Sequence, residues 1–222
     1  MMQTATDRRK RTLDLGLAAL FAPVLVPVSL GLAVLLWRGQ GRPVLHVSER
    51  MKSPAQGFGL LKFRTMRPDP GDAGVSGGDK AARITPMGRR LRRTRADELP
   101  QLWNVVRGDI SFVGPRPPLR EYVERFPELY ADVLRTPPGI TGLATLVFSP
   151  HEQWLLARCA TPEQTDAVYA RRCIPRKARL DLIYLRHRSV GFDLWLIWIT
   201  AMRAFGVMRP GRRMPRPPFG RA

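Results

Sequence analysis

Two adjacent acids, Asp97 and Glu98, close the most arginine-rich part of this chain, in the stretch RADELPQLWNVVRG at residues 95–108. Six arginines fall from Arg83 to Arg95. Two readings of the pair compete. As a plain helix start, Asp97 caps the first turn, worth about 1 kcal/mol, and Glu98 favours the positive end of the helix dipole. As chemistry, a carboxylate held in a positive field stays ionised and can attack phosphorus to form an acyl-phosphate. A neighbouring carboxylate can hold a divalent cation that neutralises phosphate charge. An acid that attacks an anionic diphosphate needs such counter-charge, because like charges otherwise repel. Arg92, Arg93 and Arg95 supply it on one side, and Arg116 follows in a Pro-Arg-Pro turn.

The surrounding sequence predicts how such a pair is positioned. Leu99, Leu102, Trp103 and Val106 recur at helical spacing and predict a helix with one buried face, with Pro100 in its first turn and Gly108 as its stop. A helix starting at Asp97 aims free N–H groups at an anion. Val44–Val47 and Leu60–Phe63 predict short strands separated by turn residues. The Pro/Gly/Asp-rich stretch 67–80 reads as a connector rather than an active-site flap, and it holds neither a P-loop nor a dinucleotide fingerprint. SFVGPRPPLREY predicts a short strand and then a proline-constrained segment, and RTPPGITG (135–142) is turn-rich. Charged helical sequence follows to Ala178. Phe192–Met202 is too short to span a bilayer and reads equally as a core helix or an interfacial one carrying Trp195 and Trp198.

Composition bounds the partners. The formal charge of +19 on 222 residues implies an anionic partner: nucleic acid, anionic lipid or a phosphorylated substrate. A nucleic-acid surface interleaves its basic residues with exposed aromatics, and the middle of this chain lacks that pattern. A membrane-anchored basic binding module without catalysis is the alternative to an enzyme. Two cysteines without a CxxC pattern fit a reduced cytosolic setting. Near the N-terminus, Leu15 to Trp37 carries no charge, which is long enough to cross a bilayer. Pro23 and Pro27 interrupt it, and basic residues flank both ends, from Arg8 to Arg11 and at Arg38 and Arg42. A spanning helix and a hairpin that enters and returns on one side both fit these facts. A signal peptide does not, because the apolar run is too long and no small-x-small cleavage site follows.

KFRTM (62–66), RITPMGRRLRRTRADELPQLWNVVRGDISFVGPRP (83–117) and PPGITG (137–142) resemble the bacterial sugar transferase family of small monotopic phosphoglycosyl transferases. The likeness extends to RKRTLDLGLAALFAPV at the start and RKARLDLIYLRHRSVGFDLWLIWIT near the end. It implies transfer of a sugar-1-phosphate from a nucleotide-diphosphate sugar, usually a UDP-sugar, to polyprenol (undecaprenyl) phosphate. It implies Mg²⁺ and a covalent phosphosugar intermediate, with Asp97 as nucleophile and Glu98 as metal ligand. Lys62, Arg64, Arg92, Pro115 and Arg116 match the family's substrate-binding positions. The resemblance also implies a re-entrant membrane helix over 11–38 broken near Pro23, with Arg11 and Asp14 pairing at its foot. The expected fold is α+β and mainly helical: that hairpin, a compact cytosolic catalytic region over 43–205 with short strands and interfacial amphipathic helices, and a basic disordered tail over 206–222. The expected place is the cytoplasmic face of the bacterial inner membrane. The chain departs from the family at LATLVFSPHEQWLLA, which follows GITG where many members carry AQVNGR.

Overall fold

The uncharged N-terminal run forms one 39-residue helix in the computed structural model, α1 (Met2–Gln40), with Pro23 and Pro27 inside it. The structure describes residues 2–69, 74–204 and 206–208; most of the predicted disordered tail lies outside them. Both ends of α1 are held by the rest of the protein, and between Ala18 and Leu36 no residue is buried. α1 is long and apolar enough to cross a membrane.

A β-hairpin follows, β1 (Leu45–Ser53) paired antiparallel with β2 (Gln56–Phe63), which extends both predicted strands. After the 3₁₀ turn Gly78–Arg83 come α2 (Pro86–Thr94), a second 3₁₀ turn (Ala96–Glu98) and α3 (Gln101–Arg107). The short strand β3 (Ser111–Val113) pairs in parallel with β4 (Gly139–Thr141), with α4 (Arg120–Arg125) and α5 (Pro127–Val133) between them in the chain. Helices α6 (Leu143–Leu156), α7 (Pro162–Val168), α8 (Ile174–His187) and α9 (Val190–Ala204) complete the described chain, with a π-turn at Tyr169–Cys173 leading into α8. The fold is therefore mainly helical with short strands.

The β3–β4 pair explains why VGPRP and PPGITG contain glycines. A Cβ on Gly139 would lie 2.1 Å from the Gly114 nitrogen, and one on Gly142 would lie 2.2 Å from the Gly114 oxygen. Only backbone fits there, so the two motifs pack against each other.

Leu60, Val105 and Ile110 pack with Phe112 of β3 and Ile140 of β4, and three further core clusters complete the body. Met51, Tyr122, Val133, Phe148, Cys173 and Ile174 pack beneath the hairpin, and Val113, Leu146, Tyr184, Phe192, Leu196 and Ile199 pack around α9. Leu36 of α1 is buried against Phe63 and Leu91. α9 is a core helix through Phe192, Leu196 and Ile199, with Trp195 packed against the same cluster, while Leu194 and Trp198 are exposed. Cys159 and Cys173 are free thiols, both buried.

Three expectations are corrected. Asp97 does not cap α3, because the chain is already wound into the 3₁₀ turn at that point. The N–H groups of Glu98 and Leu99 donate to the carbonyls of Arg95 and Ala96 (3.1 and 3.3 Å), so the turn satisfies its own donors. The apolar face of α3 is not the buried one: Trp103 is 58% exposed, whereas Gln101, Asn104 and Val105 are buried. Asn104 is drawn inward by bonds to the Leu61 N–H, the Gly59 carbonyl and Asp109. Arg11 and Asp14 do not pair either, because each has a better partner in the body. Arg11 donates to the carbonyls of Val105 and Val106 at the end of α3, and Asp14 accepts from the Ser111 hydroxyl and the Phe112 N–H.

The tightest tie between α1 and the body is one that the motifs did not reveal. Lys10 donates to Asp193 of α9 at 2.7 Å, with both side chains buried, and Tyr184 donates to the other Asp193 oxygen at 2.7 Å. Breaking one partner of such a pair leaves a buried charge uncompensated. Asp193→Ala should therefore cost about 3–5 kcal/mol and loosen the start of α1, read as a lower unfolding midpoint in detergent together with faster proteolysis near Arg8 to Arg11. An unchanged midpoint would show that the remaining ties of α1, through Arg11, Asp14 and its apolar contacts, suffice without this pair.

Candidate active site

The site is assembled by three chain segments that converge on Glu98. The first is the end of β2. Lys62 is held there by the hairpin ladder, and its ammonium donates to Glu98 Oε1 at 3.3 Å. The second is the exit from α2. Thr85 caps this helix by accepting from the Gly88 N–H (2.9 Å), and Gly88 lies so close to the Thr65 carbonyl that a Cβ would sit 2.1 Å from its oxygen. That contact sets α2 against the KFRTM segment. It also lets Arg92 donate through Nε to the Thr65 hydroxyl at 2.8 Å. Arg95 ends α2 at φ 57°, the sole non-glycine residue with positive φ among the described residues. A left-handed arginine costs about 1–2 kcal/mol. It turns the chain so that the adjacent Asp97 and Glu98 are both buried. The third segment follows β3, where Arg116 donates to Glu98 Oε1 at 2.6 Å.

Glu98 is thus a carboxylate shared among cations, with Arg95 also 3.5 Å from its Oε2. Burial alone would raise its pKa, but Arg116, Lys62 and Arg95 overcome that and hold it well below the usual carboxylate range. Asp97 differs. It has no hydrogen bond or ion pair among the described residues, and its pKa is raised by burial and by Glu98 while Lys62, Arg92 and Arg116 oppose the shift. The arginine field therefore acts first on Glu98, and less on Asp97 than the sequence suggests. Burial, assisted by Arg116, lowers Lys62 to about 8.

These residues line a cavity of about 1070 Å³ that extends from the Asp97–Glu98 pair to α6 and α8. Lys62, Arg92, Asp97, Glu98 and Arg116 all border it. Two expected site residues have other work. Arg64 also borders the cavity, but its guanidinium donates to the carbonyls of Gln40 and Gly41 at 2.5 and 3.1 Å and so closes the end of α1. Pro115 is buried away from the cavity lining, and its carbonyl accepts from the Gly139 N–H at 2.8 Å, which joins β3 to β4. The expected anion cradle of free helix N–H groups is absent at Asp97, and side-chain cations stand in its place. Part of stretch 67–80 walls the cavity instead of merely connecting: Gly74 to Gly78 border it, and Asp79 accepts from the Thr165 hydroxyl at 2.8 Å.

The motifs missed Arg50, Glu152, Lys177 and Asp181, which also line the cavity. Lys177 and Asp181 are four apart on α8, a spacing that places them on one helix face.

Among the described residues no group of three or more His, Cys, Asp or Glu could hold a metal. Two carboxylates are nonetheless enough for Mg²⁺, which binds through one or two carboxylates together with substrate phosphates and water. Glu98 Oε2 is buried without a hydrogen bond, and Asp97 is open. The pair fits such an ion.

The family described as "Bacterial sugar transferase" matches residues 5–206. A UDP-glucose:undecaprenyl-phosphate glucose-1-phosphate transferase of Caulobacter vibrioides is 42% identical over 149 residues, 64% of this chain and 55% of the relative. The protein of that same name from Escherichia coli is 30% identical over 200 residues, 88% of this chain and 40% of the relative. A UDP-N-acetylgalactosamine-undecaprenyl-phosphate N-acetylgalactosaminephosphotransferase of Aeromonas hydrophila is 35% identical over 144 residues, 62% of this chain and 34% of the relative. The chain spans between a third and just over half of the length of these relatives.

If Glu98 holds the site together, Glu98→Gln should leave Lys62, Arg95 and Arg116 facing one another around a neutral amide. The expected loss is about 1–3 kcal/mol, moderated because the arginine side chains are about a third exposed. Millimolar inorganic phosphate should restore part of the unfolding midpoint, and chloride at equal ionic strength should not. A midpoint equal to that of the unaltered protein would mean that the cations keep their places without Glu98.

Proposed function

The chain belongs to the bacterial sugar transferase family, and from that premise we propose that it is a phosphoglycosyl transferase. It moves a sugar-1-phosphate from a UDP-sugar to undecaprenyl phosphate at the cytoplasmic face of the bacterial inner membrane. The observation that carries this reading is the contrast within the acidic pair. Asp97 is buried and unpartnered at the cavity wall, while its neighbour Glu98 is pinned by Lys62, Arg95 and Arg116. One carboxylate is free to react, and the other anchors the charge that brings an anionic substrate close.

The Asp97 carboxylate attacks the phosphorus that carries the sugar. The bond from that phosphorus to the bridging oxygen breaks, and UMP leaves with the electron pair. An acyl-phosphate joins Asp97 to the sugar phosphate. A phosphate oxygen of the polyprenol then attacks the same phosphorus, the acyl-phosphate bond breaks, and Asp97 returns as carboxylate with a polyprenyl diphosphate sugar released. Lys62, Arg92 and Arg116 stabilise charge on the phosphoryl oxygens at each step. Glu98 Oε2 and Asp97 are the groups that would hold Mg²⁺, which supplies further neutralisation of the diphosphate when bound.

The membrane reading rests on α1. Its start is fixed to α3, β3 and α9 through Lys10, Arg11 and Asp14, and its end to β2 and α2 through Leu36 and Arg64. Attachment of both ends to one catalytic body, with an exposed apolar centre carrying Pro23 and Pro27, supports a re-entrant, monotopic helix. Exposed Trp103, Trp154 and Trp198 on α3, α6 and α9 suit the water–lipid interface.

Two outcomes test these readings. Asp97→Asn should abolish release of UMP and eliminate a phosphosugar adduct that survives denaturation, while the unfolding midpoint stays near or above that of the unaltered protein. Retained turnover would remove Asp97 as nucleophile. For topology, single cysteines at Thr12 and Gly39, in a chain with Cys159 and Cys173 replaced by serine, should both react with an impermeant maleimide from the cytoplasmic side. Labelling from opposite sides would establish a spanning helix instead.

A further inference from the structure

The transfer chemistry uses one end of the cavity, yet the cavity continues past it to a wall of buried polar groups. Glu152 on α6 accepts from Lys177 of α8 at 2.8 Å, and Lys177 also donates to the Tyr169 hydroxyl at 3.1 Å. Those three satisfy one another. Asp181, one turn further along α8, is 5% exposed and borders the cavity, but it has no hydrogen bond or ion pair among the described residues. Buried carboxylates without donors are rare, since each forfeits hydration that nothing replaces. Burial accordingly pushes Asp181 up to about 7, with Lys177 opposing and Glu152 adding to the shift.

The charge pattern along the cavity says what such a group can receive. Lys62, Arg92 and Arg116 act on Asp97, while on the α6–α8 wall Glu152 is balanced by Lys177 and Asp181 has no cation bonded to it; Arg50 lines the cavity as well. Phosphates belong with the excess of cations around Asp97 and Glu98, and the near-neutral α6–α8 wall holds them less well. A neutral moiety rich in hydroxyl donors belongs with the acids, because a carboxyl oxygen accepts from O–H in either protonation state. Glu152 also lies within electrostatic reach of Arg95 and Arg116, so the acidic wall begins next to the reacting pair. The phosphorus attacked by Asp97 bears the sugar directly, whereas the nucleoside is one phosphate further away.

We propose that the α6–α8 wall of the cavity is the subsite for the donor's hexose, in which Asp181 accepts hydrogen bonds from sugar hydroxyls while the Glu152–Lys177–Tyr169 network holds α8 in register. This rests on the phosphosugar-transfer reading above. It makes Asp181 a determinant of donor specificity, in a chain that departs from the common family sequence at α6.

The test uses the full chain in detergent with undecaprenyl phosphate and, in turn, UDP-glucose, UDP-galactose and UDP-N-acetylgalactosamine, comparing the unaltered protein with Asp181→Leu and Asp181→Asn. For the best donor, kcat/KM should fall about ten- to a hundredfold in Asp181→Leu and less in Asp181→Asn, as for loss of hydrogen bonds to a charged group. Inhibition by UMP, which lacks the hexose, should change by less than about twofold, and the unfolding midpoint should hold or rise because no protein donor loses a partner. A donor analogue deoxygenated at the contacted hydroxyl should be used equally well by both proteins. The subsite is overturned if donor kinetics are unchanged, if UMP inhibition weakens in parallel with donor use, or if the midpoint falls as it would for a structural carboxylate. If the unaltered protein releases no UMP from any of the three donors, the transfer reading itself fails and takes the subsite with it. An active unaltered protein with an unaffected Asp181→Leu variant overturns the subsite alone.

Discussion

The site depends on a single buried anion. Glu98 draws Lys62 from the end of β2, Arg95 from the exit of α2 and Arg116 from the segment after β3. Gly88 packed on Thr65 already sets α2 against the end of β2, and the carboxylate joins the segment after β3 to both. Three cations brought together without it would repel, and a buried carboxylate without them would be protonated. The arrangement is therefore mutual: the anion organises the cations, and the cations keep the anion charged in a place where water does not.

This has a consequence for the other acid. Because Glu98 absorbs most of the positive field, Asp97 is left with a raised pKa, set by burial and by its charged neighbour. A carboxylate with no hydrogen bonds is a better nucleophile than one tied down by arginines, since a salt bridge would have to be broken before attack. Adjacency thus divides the labour. The same sequence feature that reads as redundancy, two acids in a row, becomes in three dimensions one anchored group and one open one. The left-handed Arg95 is the backbone cost of that division, because an ordinary helical arginine would carry α2 straight on instead of folding Asp97 and Glu98 into a tight turn.

Much of this was legible in the sequence, and the failures have a common cause. The acids, Arg92 and Arg116 could be picked out because an acid pair among arginines signals chemistry that packing does not need, and Lys62 entered through the family resemblance of KFRTM. Two short strands were legible from β-compatible pieces separated by turn residues, and the structure adds that they pair as a hairpin. What misled was the assumption that an apolar stripe faces protein. The spacing of Leu99, Leu102, Trp103 and Val106 correctly marks one side of α3, but periodicity gives the residues that share a face and not the medium that the face meets. Here the polar side turns inward, since Asn104 has the Gly59 and Leu61 backbone to satisfy. The cap at Asp97 failed for a related reason: local sequence marks where a helix can begin, while the left-handed turn at Arg95 follows a helix whose Arg92 is held by Thr65, 27 positions away. The Lys10–Asp193 pair, whose partners are 183 positions apart, had no local signature at all.

The residues that sequence reasoning passed over are those whose significance lies in what they lack. Lys177 and Asp181 look like an ordinary i, i+4 pair on a charged helix, the pattern of a solvated face. Only in the fold does Lys177 turn to Glu152 and Tyr169 and leave Asp181 alone in the cavity. An enzyme acting on a diphosphate sugar must solve opposite problems within one pocket, attracting the phosphates and orienting a neutral ring without letting the phosphates slide onto it. In the proposed arrangement the excess of cations around Asp97 and Glu98 attracts the phosphates, while Asp181, beside a Glu152–Lys177 pair that balances itself, accepts from hydroxyls. On the reading proposed above, the donor is oriented by charge before any shape is read, with its reactive phosphorus at Asp97 and its sugar against α8.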